Sequence, residues 1–216
     1  MSIRKVDFAT GEYYHLYNRG NSKQKIFLDK NDYKHFIKLL YLCNSKRNFV
    51  FRDITENTFE FDRETTLVNI GAYCLMPNHF HLLVQEKEEN GISKFMQKLS
   101  TAYVMYFNTK YGRTGGLFEG KFKSQHVSKD RHMKYLFSYI HLNPVKLIEP
   151  KWKEKGIINL IKAKLFLRDY ISSSYLEYLG KNRLESKILS RDNFPKYFPL
   201  AKSFESEIIE WLSFTP

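Results

Sequence analysis

Cysteine is nearly absent from this chain: two occur in 216 residues, Cys43 and Cys74, and no CxxC pair is present. That argues against a disulfide framework and against a cysteine-based structural zinc site. Cys43 falls in an apolar helical pattern and Cys74 in an apolar strand pattern, so both read as buried thiols. No base pairs with Cys74 in sequence, which removes a cysteine protease from consideration. Long apolar runs are also missing. No stretch approaches 18 apolar residues, so nothing is expected to span a membrane. Met1-Ser2-Ile3-Arg4-Lys5 leads into a charged segment without the apolar centre of a signal peptide, and the expectation is a cytoplasmic protein. Neither GxGxxG nor GxxxxGK followed by Ser or Thr occurs, so no phosphate-cradling loop is in view. There is no internal repeat and no low-complexity tract.

Acidic residues are outnumbered. The chain carries 35 Lys and Arg against 23 Asp and Glu, a net charge of +12. An excess of this size favours a polyanionic partner, with nucleic acid the default. The length suits one domain, or one domain with a tail, and is ample for a core.

The aromatic run 12–19, closed by Gly20-Asn21, reads as a first strand. A helix follows over about 31–45, with Asp29 as its cap. Residues 48–53 read as a strand, 54–66 as an irregular hairpin, and 67–75 as a strand joined by Met76-Pro77-Asn78 to another at 79–85. Ser93 opens a long helix to about Lys110, with Phe95, Met96, Leu99, Ala102, Tyr103 and Tyr106 on its apolar stripe. Residues 117–127 read as a strand pair or hairpin. Asp130 caps a helix that Pro144 stops near Leu142. After Pro150 the character changes to helical patches, a Ser172-Ser173-Ser174 cap and an amphipathic run at 204–212. Strands and helices interleave with connections too short for parallel crossovers, which predicts an α+β fold with a mainly antiparallel sheet.

Four groups of residues can carry chemistry. His79 and His81 flank Phe80, and a strand alternates its faces with a period of two, so both imidazoles share one face about 7 Å apart while Phe80 enters the core. Such a pair can grip a divalent ion; the plainer reading is two polar residues on a solvated face. Tyr139 and Asn143 are four apart on one helix face. They offer a phenol nucleophile and an amide oxygen acceptable to a hard cation; the plainer reading is a core tyrosine and a helix stop before proline. Tyr135 shares that face as the rival nucleophile. The basic, aromatic stretch 103–123 includes Arg113, Lys121 and Lys123, which suit a phosphate backbone, with aromatics for unpaired bases. Asn18 and Arg19 close the first strand, where Arg19 can hold a phosphate or a guanine edge.

The stretches YHLYNRGN from Tyr14, AYCLMPNHFHLLV from Ala72, GGLFEGKFKS from Gly115 and YLFSYIHLNPVK from Tyr135 occur in order. In this combination the chain resembles the single-tyrosine transposases of the HUH superfamily, the group of REP-associated tyrosine transposases and insertion sequence 200-like transposases. The resemblance covers roughly 1–150 as the transposase domain. Residues 151–216 then form a variable, mostly helical C-terminal extension, in which SSSYLEYLG from Ser172 is a fainter echo.

The resemblance implies a ferredoxin-like sheet with helices packed on it. It implies His79 and His81 as metal ligands for Mg²⁺ or Mn²⁺, Tyr139 as nucleophile in preference to Tyr135, and Asn143 in the place of a third polar ligand, where some relatives carry glutamine. It further implies cleavage and rejoining of single-stranded or hairpin DNA through a 5′-phosphotyrosine, without ATP. A homodimer that places the tyrosine helix in trans and a monomer are both compatible with it. Two rivals stay open: a non-catalytic nucleic-acid-binding protein derived from such an enzyme, and a metal-dependent hydrolase using activated water, for which Glu119 is the nearest carboxylate.

Overall fold

The His-Phe-His stretch opens a central strand, as its apolar neighbours require. In a computed structural model, which describes residues 7–54, 57–197 and 201–212, β3 (His79–Glu86) pairs on both sides. The sheet order is β2-β3-β1-β4, with β1 (Tyr13–Arg19), β2 (Val68–Met76) and β4 (Lys123–His126), and every neighbouring pair is antiparallel. Helix α1 (Lys30–Leu42) joins β1 to β2 and α2 (Gly91–Tyr111) joins β3 to β4. The resulting βαββαβ order is ferredoxin-like. The charged segment 1–5 lies outside the described residues.

Period-two alternation decides what each face holds. Leu16, Phe80, Leu82 and Val84 face α1 and α2 and join Phe36, Leu40, Phe95, Leu99 and Tyr103 in one apolar cluster. Helix α1 begins where the Asp29 carboxylate accepts from the Asn31 and Asp32 N–H groups, with Asp32 bonding back to the Asp29 N–H. This is the capping box, and it satisfies donors that the first helical turn leaves open.

The opposite face holds Ala72, Cys74, Met76 and Leu83. It is covered by α3 (Asp130–Leu142) and by chain that follows it. Asn143–Leu147 continues α3 as a 3-10 turn, then come α4 (Trp152–Lys155), α5 (Leu160–Asp169), α6 (Tyr175–Tyr178) and α7 (Ala201–Leu212). Residues after Pro150 are therefore part of this second cluster: Trp152, Leu167, Tyr175, Tyr178, Phe194, Phe204 and Ile208 are all buried in it. They also close the β2 edge. Leu75 N–H donates to the Ser172 carbonyl at 2.9 Å and Ser174 N–H to the Tyr73 carbonyl at 3.0 Å, while Ser190 N–H reaches the Ile70 carbonyl at 2.9 Å. The Phe194 ring seats on Gly71, where a Cβ would lie 2.6 Å from it, so that close approach needs glycine.

Several sequence expectations are corrected. Residues 48–53 form no strand; Phe51–Asp53 is a 3-10 turn. Phe49 and Phe51 pack against the core as loop aromatics, and the one sheet edge on that side is taken by residues 172–174. No hairpin forms over the described part of 54–66, which holds a 3-10 turn at Thr58–Glu60. Residues 117–127 give one strand, not a pair. Leu117 plugs the core, Phe118 makes an isolated bridge to Gly20, and Gly120 turns the chain at φ 131° before β4 begins. Asp130 is the first residue of α3 and not its cap, and its carboxylate accepts from the Tyr197 hydroxyl at 2.5 Å. Ser174 holds the cap position of α6 without capping it, because its hydroxyl serves Tyr73 and His141 instead.

Candidate active site

The face of the sheet that meets α3 carries the two histidines of β3. His79 and His81 lie on it with ring centroids 4.9 Å apart and planes at 87°. The one-residue alternation that puts Phe80 in the opposite core, 1 % exposed, puts these rings under α3. From α3, the Tyr139 ring comes to 5.4 Å from the His81 ring. Asn143, one turn on, is held in αR geometry by the 3-10 turn, so Pro144 does not swing it off the tyrosine face. His79, Tyr139 and Asn143 share a small chamber of about 60 Å³, closed from above by Trp152 and Lys153. Tyr139 and the histidines meet within one chain.

Two atoms beside Tyr139, one on a histidine that lines the neighbouring cleft and one in the chamber, have no partner. His81 Nε2 and Asn143 Oδ1 are buried and make no hydrogen bond. Buried polar atoms left open are uncommon and costly, about 1–3 kcal/mol each. Their neighbours explain which way the rings face. His79 Nδ1 donates to Asn78 Oδ1 at 2.7 Å, since that oxygen can only accept. That fixes the lone pair of His79 on Nε2. Desolvation holds His79 down at about 4, helped by Lys146, and holds His81 well below its ordinary value, helped by His15 and His79. Both rings are therefore neutral at pH 7, the state that ligates a metal. Two imidazole nitrogens and an amide oxygen form a donor set of intermediate hardness, suited to Mn²⁺ and compatible with Mg²⁺. Among the described residues no group of three or more His, Cys, Asp or Glu that could hold a metal ion converges; beside the two histidines the further polar side chain is the Asn143 amide.

Burial raises the Tyr139 phenol above its usual value, with the Asn143 amide working the other way. Positive charge surrounds it: Lys153 Nζ stands 4.3 Å from the centre of its ring, and desolvation and Lys146 lower that ammonium. Tyr135 stacks parallel to Tyr139 at 6.3 Å and lines neither the chamber nor the cleft beside it.

That cleft, about 750 Å³, opens from the histidines between β1, the β2–β3 turn and β4. Its basic groups are Arg19, Lys23, Lys25, Lys123 and Lys146. Of the residues expected to meet DNA, Asn18, Arg19 and Lys123 line it, while Arg113 and Lys121 do not. Asn18 spends its side chain on the backbone, donating to the Gly120 carbonyl at 3.0 Å and accepting from the Arg19 N–H at 2.9 Å. Arg19 forks onto Glu119, which also lines the cleft. Arg113 stands over the Phe107 ring at the end of α2. Another cavity, about 840 Å³ and mostly apolar, lies along α1 and α2 beside His35, Phe49 and Met105, away from these groups.

Sequence reasoning did not single out His15, Trp152 or Lys153. His15 shares the face of His81 only through the β1–β3 register, in which His15 opposes Leu83 and Tyr17 opposes His81. No local signal places Trp152 or Lys153 over a helix that ends about ten residues earlier.

The family model described as "Transposase IS200 like" matches residues 10–143. No curated protein matches the chain. A solved structure described as "Structure of the REP associates tyrosine transposase bound to a REP hairpin" is similar in fold, with a TM-score of 0.51 and 14 % identity over 86 % of this chain and 90 % of that one. Among the described residues no helix is long and apolar enough to cross a membrane.

Proposed function

The chain belongs to the IS200-like transposase family, and from that premise we propose that it cleaves and rejoins single-stranded or hairpin DNA through a covalent bond to Tyr139. The observation that carries this reading is the approach of the Tyr139 ring to His81, 5.4 Å between centroids, beside two buried lone-pair atoms with nothing to bind. His79, His81 and Asn143 would hold a divalent cation, Mg²⁺ or Mn²⁺, which when bound supplies Lewis-acid stabilisation of the charge on the scissile phosphate.

The chain's own groups do the rest. Arg19, Lys23, Lys123 and Lys146 line the cleft with positive charge and draw the phosphodiester backbone toward the chamber. Lys121 and Arg113 lie outside that lining. Trp152 and Lys153 shield the phenol from water, which favours transfer over hydrolysis. At neutral pH the Tyr139 hydroxyl is protonated because burial raises it. Its oxygen attacks phosphorus in line as the bond from phosphorus to the 3′ oxygen breaks. The proton lost by the phenol balances the one gained by the leaving 3′-hydroxyl. The product is a 5′-phosphotyrosine, which keeps the phosphodiester bond energy, so a second 3′-hydroxyl can reverse the step onto a new end. The similar solved structure holds a REP hairpin, and a hairpin is the substrate to test first.

The test is to incubate the protein with Mn²⁺ and a labelled hairpin oligonucleotide and to denature before electrophoresis. A labelled adduct is expected from the wild type and from Tyr135→Phe, and none from Tyr139→Phe. An adduct that survives Tyr139→Phe overturns the assignment, and one lost only with Tyr135→Phe moves it one turn back. Metal-independent DNA binding with no adduct under any condition leaves a binding protein without catalysis.

A further inference from the structure

His15 sits on β1, 7 % exposed, with its ring stacked on His81 at 5.0 Å between centroids and 24° between planes. Its Nε2 lies 2.8 Å from His81 Nδ1. Nothing in the proposed cleavage uses it, and this contact leaves its Nε2 unable to face a cation held by the far side of the His81 ring. We propose that His15 is a positioning residue: it accepts the His81 Nδ1 proton and thereby fixes the tautomer that leaves His81 Nε2 bare, as an acceptor, beside Tyr139. This rests on the reading of His79 and His81 as metal ligands.

The argument is one of counting protons. Both rings are buried and neutral, so the 2.8 Å contact holds one hydrogen. If His15 donated it, His81 would carry its own proton on Nε2, and that N–H would be buried with no acceptor. A ring in that state cannot ligate through Nε2, because that nitrogen has no free lone pair. If His81 donates, its open atom is an acceptor, and a cation is what satisfies it. The neighbouring histidine shows the same device with an amide oxygen as the acceptor. His79 donates Nδ1–H to Asn78 Oδ1 and so faces the chamber with Nε2. The two histidines are thus oriented alike, one by an amide oxygen from the β2–β3 turn and the other by an imidazole from β1.

Ligand histidines commonly pass their second N–H to a carboxylate or carbonyl, and loss of such a partner costs about 10–100-fold in metal affinity. Here a neutral imidazole takes that place. The stacked contact also fixes the ring plane of His81, which a single hydrogen bond to a flexible side chain does less well.

The experiment uses the full-length protein and Mn²⁺ alone as probe. Binding is followed by the electron paramagnetic resonance signal of free Mn²⁺, and the imidazole tautomers by long-range ¹H–¹⁵N correlation of the metal-free protein. The expected spectrum places the His81 proton on Nδ1. His15→Leu, which fills the space without an acceptor, is expected to weaken Mn²⁺ binding by about 10–100-fold, and His15→Gln, whose amide oxygen accepts, to recover most of it. A role limited to packing would move both variants alike, together with their melting temperatures. A His81 proton found on Nε2 in the wild type overturns the proposal, as does Mn²⁺ affinity unchanged in a folded His15→Leu protein. If the wild type binds no Mn²⁺ that His81→Ala removes, the metal reading itself fails, while the wild-type spectrum still decides which ring donates.

Discussion

Phe80 and His81 are neighbours on one strand, and they belong to two different kinds of protein interior. The face that receives Phe80 is an apolar cluster between the sheet and helices α1 and α2, packed from Leu, Ile, Phe and Val with a few tyrosines. The face that receives His81 is mixed: the sheet side of α3 carries His15, His79, His81, Tyr139, Asn143 and His141 among its apolar residues, and two of its buried atoms are unsatisfied. Unpartnered buried polar atoms occur on both faces, the Tyr73 hydroxyl on the first among them, but on the second two of them, His81 Nε2 and Asn143 Oδ1, lie beside the Tyr139 phenol. Such local departures are where natural sequences give up stability for chemistry.

The adjoining pair offers the sharpest way to break that comparison. Phe80→Ala is expected to cost about 3–5 kcal/mol in urea unfolding, as for other buried phenylalanines, with Mn²⁺ affinity of the folded fraction unchanged. His81→Leu is expected to do the reverse. It removes an unsatisfied buried nitrogen but leaves His15 Nε2 without its donor, so the urea midpoint is expected to stay within the equivalent of about 1 kcal/mol of the wild type, while Mn²⁺ binding and adduct formation are lost. Equal destabilisation by the two variants would dissolve the distinction between the faces.

Acid sharpens it next. Burial holds His141 at about 3 and His15 and His79 at about 4, below the ordinary value of about 6.5. Between those folded values and about 6.5 the unfolded chain binds more protons than the folded one, so stability is complete above about 6.5 and declines as pH falls toward 3. For one fully buried histidine, the step from pH 6.5 to 5 is worth about 2 kcal/mol. Most of the histidines concerned lie on the α3 face; on the other, His35 alone is depressed, to about 4. Urea midpoints compared at pH 7 and pH 5 should fall steeply in the wild type and almost as steeply in His35→Phe.

The smallest expected effect concerns how the C-terminal segment is tied to the α3 face. His141 Nδ1 donates to the Phe137 carbonyl at 2.9 Å, so its Nε2 accepts from the Ser174 hydroxyl at 2.8 Å, and that same oxygen accepts the Tyr73 N–H at 2.9 Å. Ser174→Ala leaves both partners open and should lower stability by about 1–3 kcal/mol, measured as a shift in thermal midpoint with adduct formation intact.

Much of this was legible before any coordinates. The period of two placed His79 and His81 together, and a spacing of four did the same for Tyr139 and Asn143, because both are properties of a single element. His15 was not legible, since its meeting with His81 depends on which residues of β1 and β3 stand opposite each other. Residues 48–53 misled because alternating aromatics look alike in a strand and in a loop that drops side chains into a core. The residues after Pro150 read as an appendage because their apolar positions have no obvious partner in sequence; that partner, the α3 face of the sheet, exists only once the strands are assembled.

One feature of that segment governs how copies of the chain could meet. Residues 172–174 lie along β2 and occupy its backbone donors and acceptors. A second molecule seeking to extend the sheet across β2 would first have to peel off the chain's own cover. The opposite border, β4, spans four residues and bears Lys123 and Gln125 to solvent, and short charged borders resist augmentation. The fold therefore guards both ends of its sheet, one by occupation and one by brevity and charge, which disfavours pairing of subunits edge to edge.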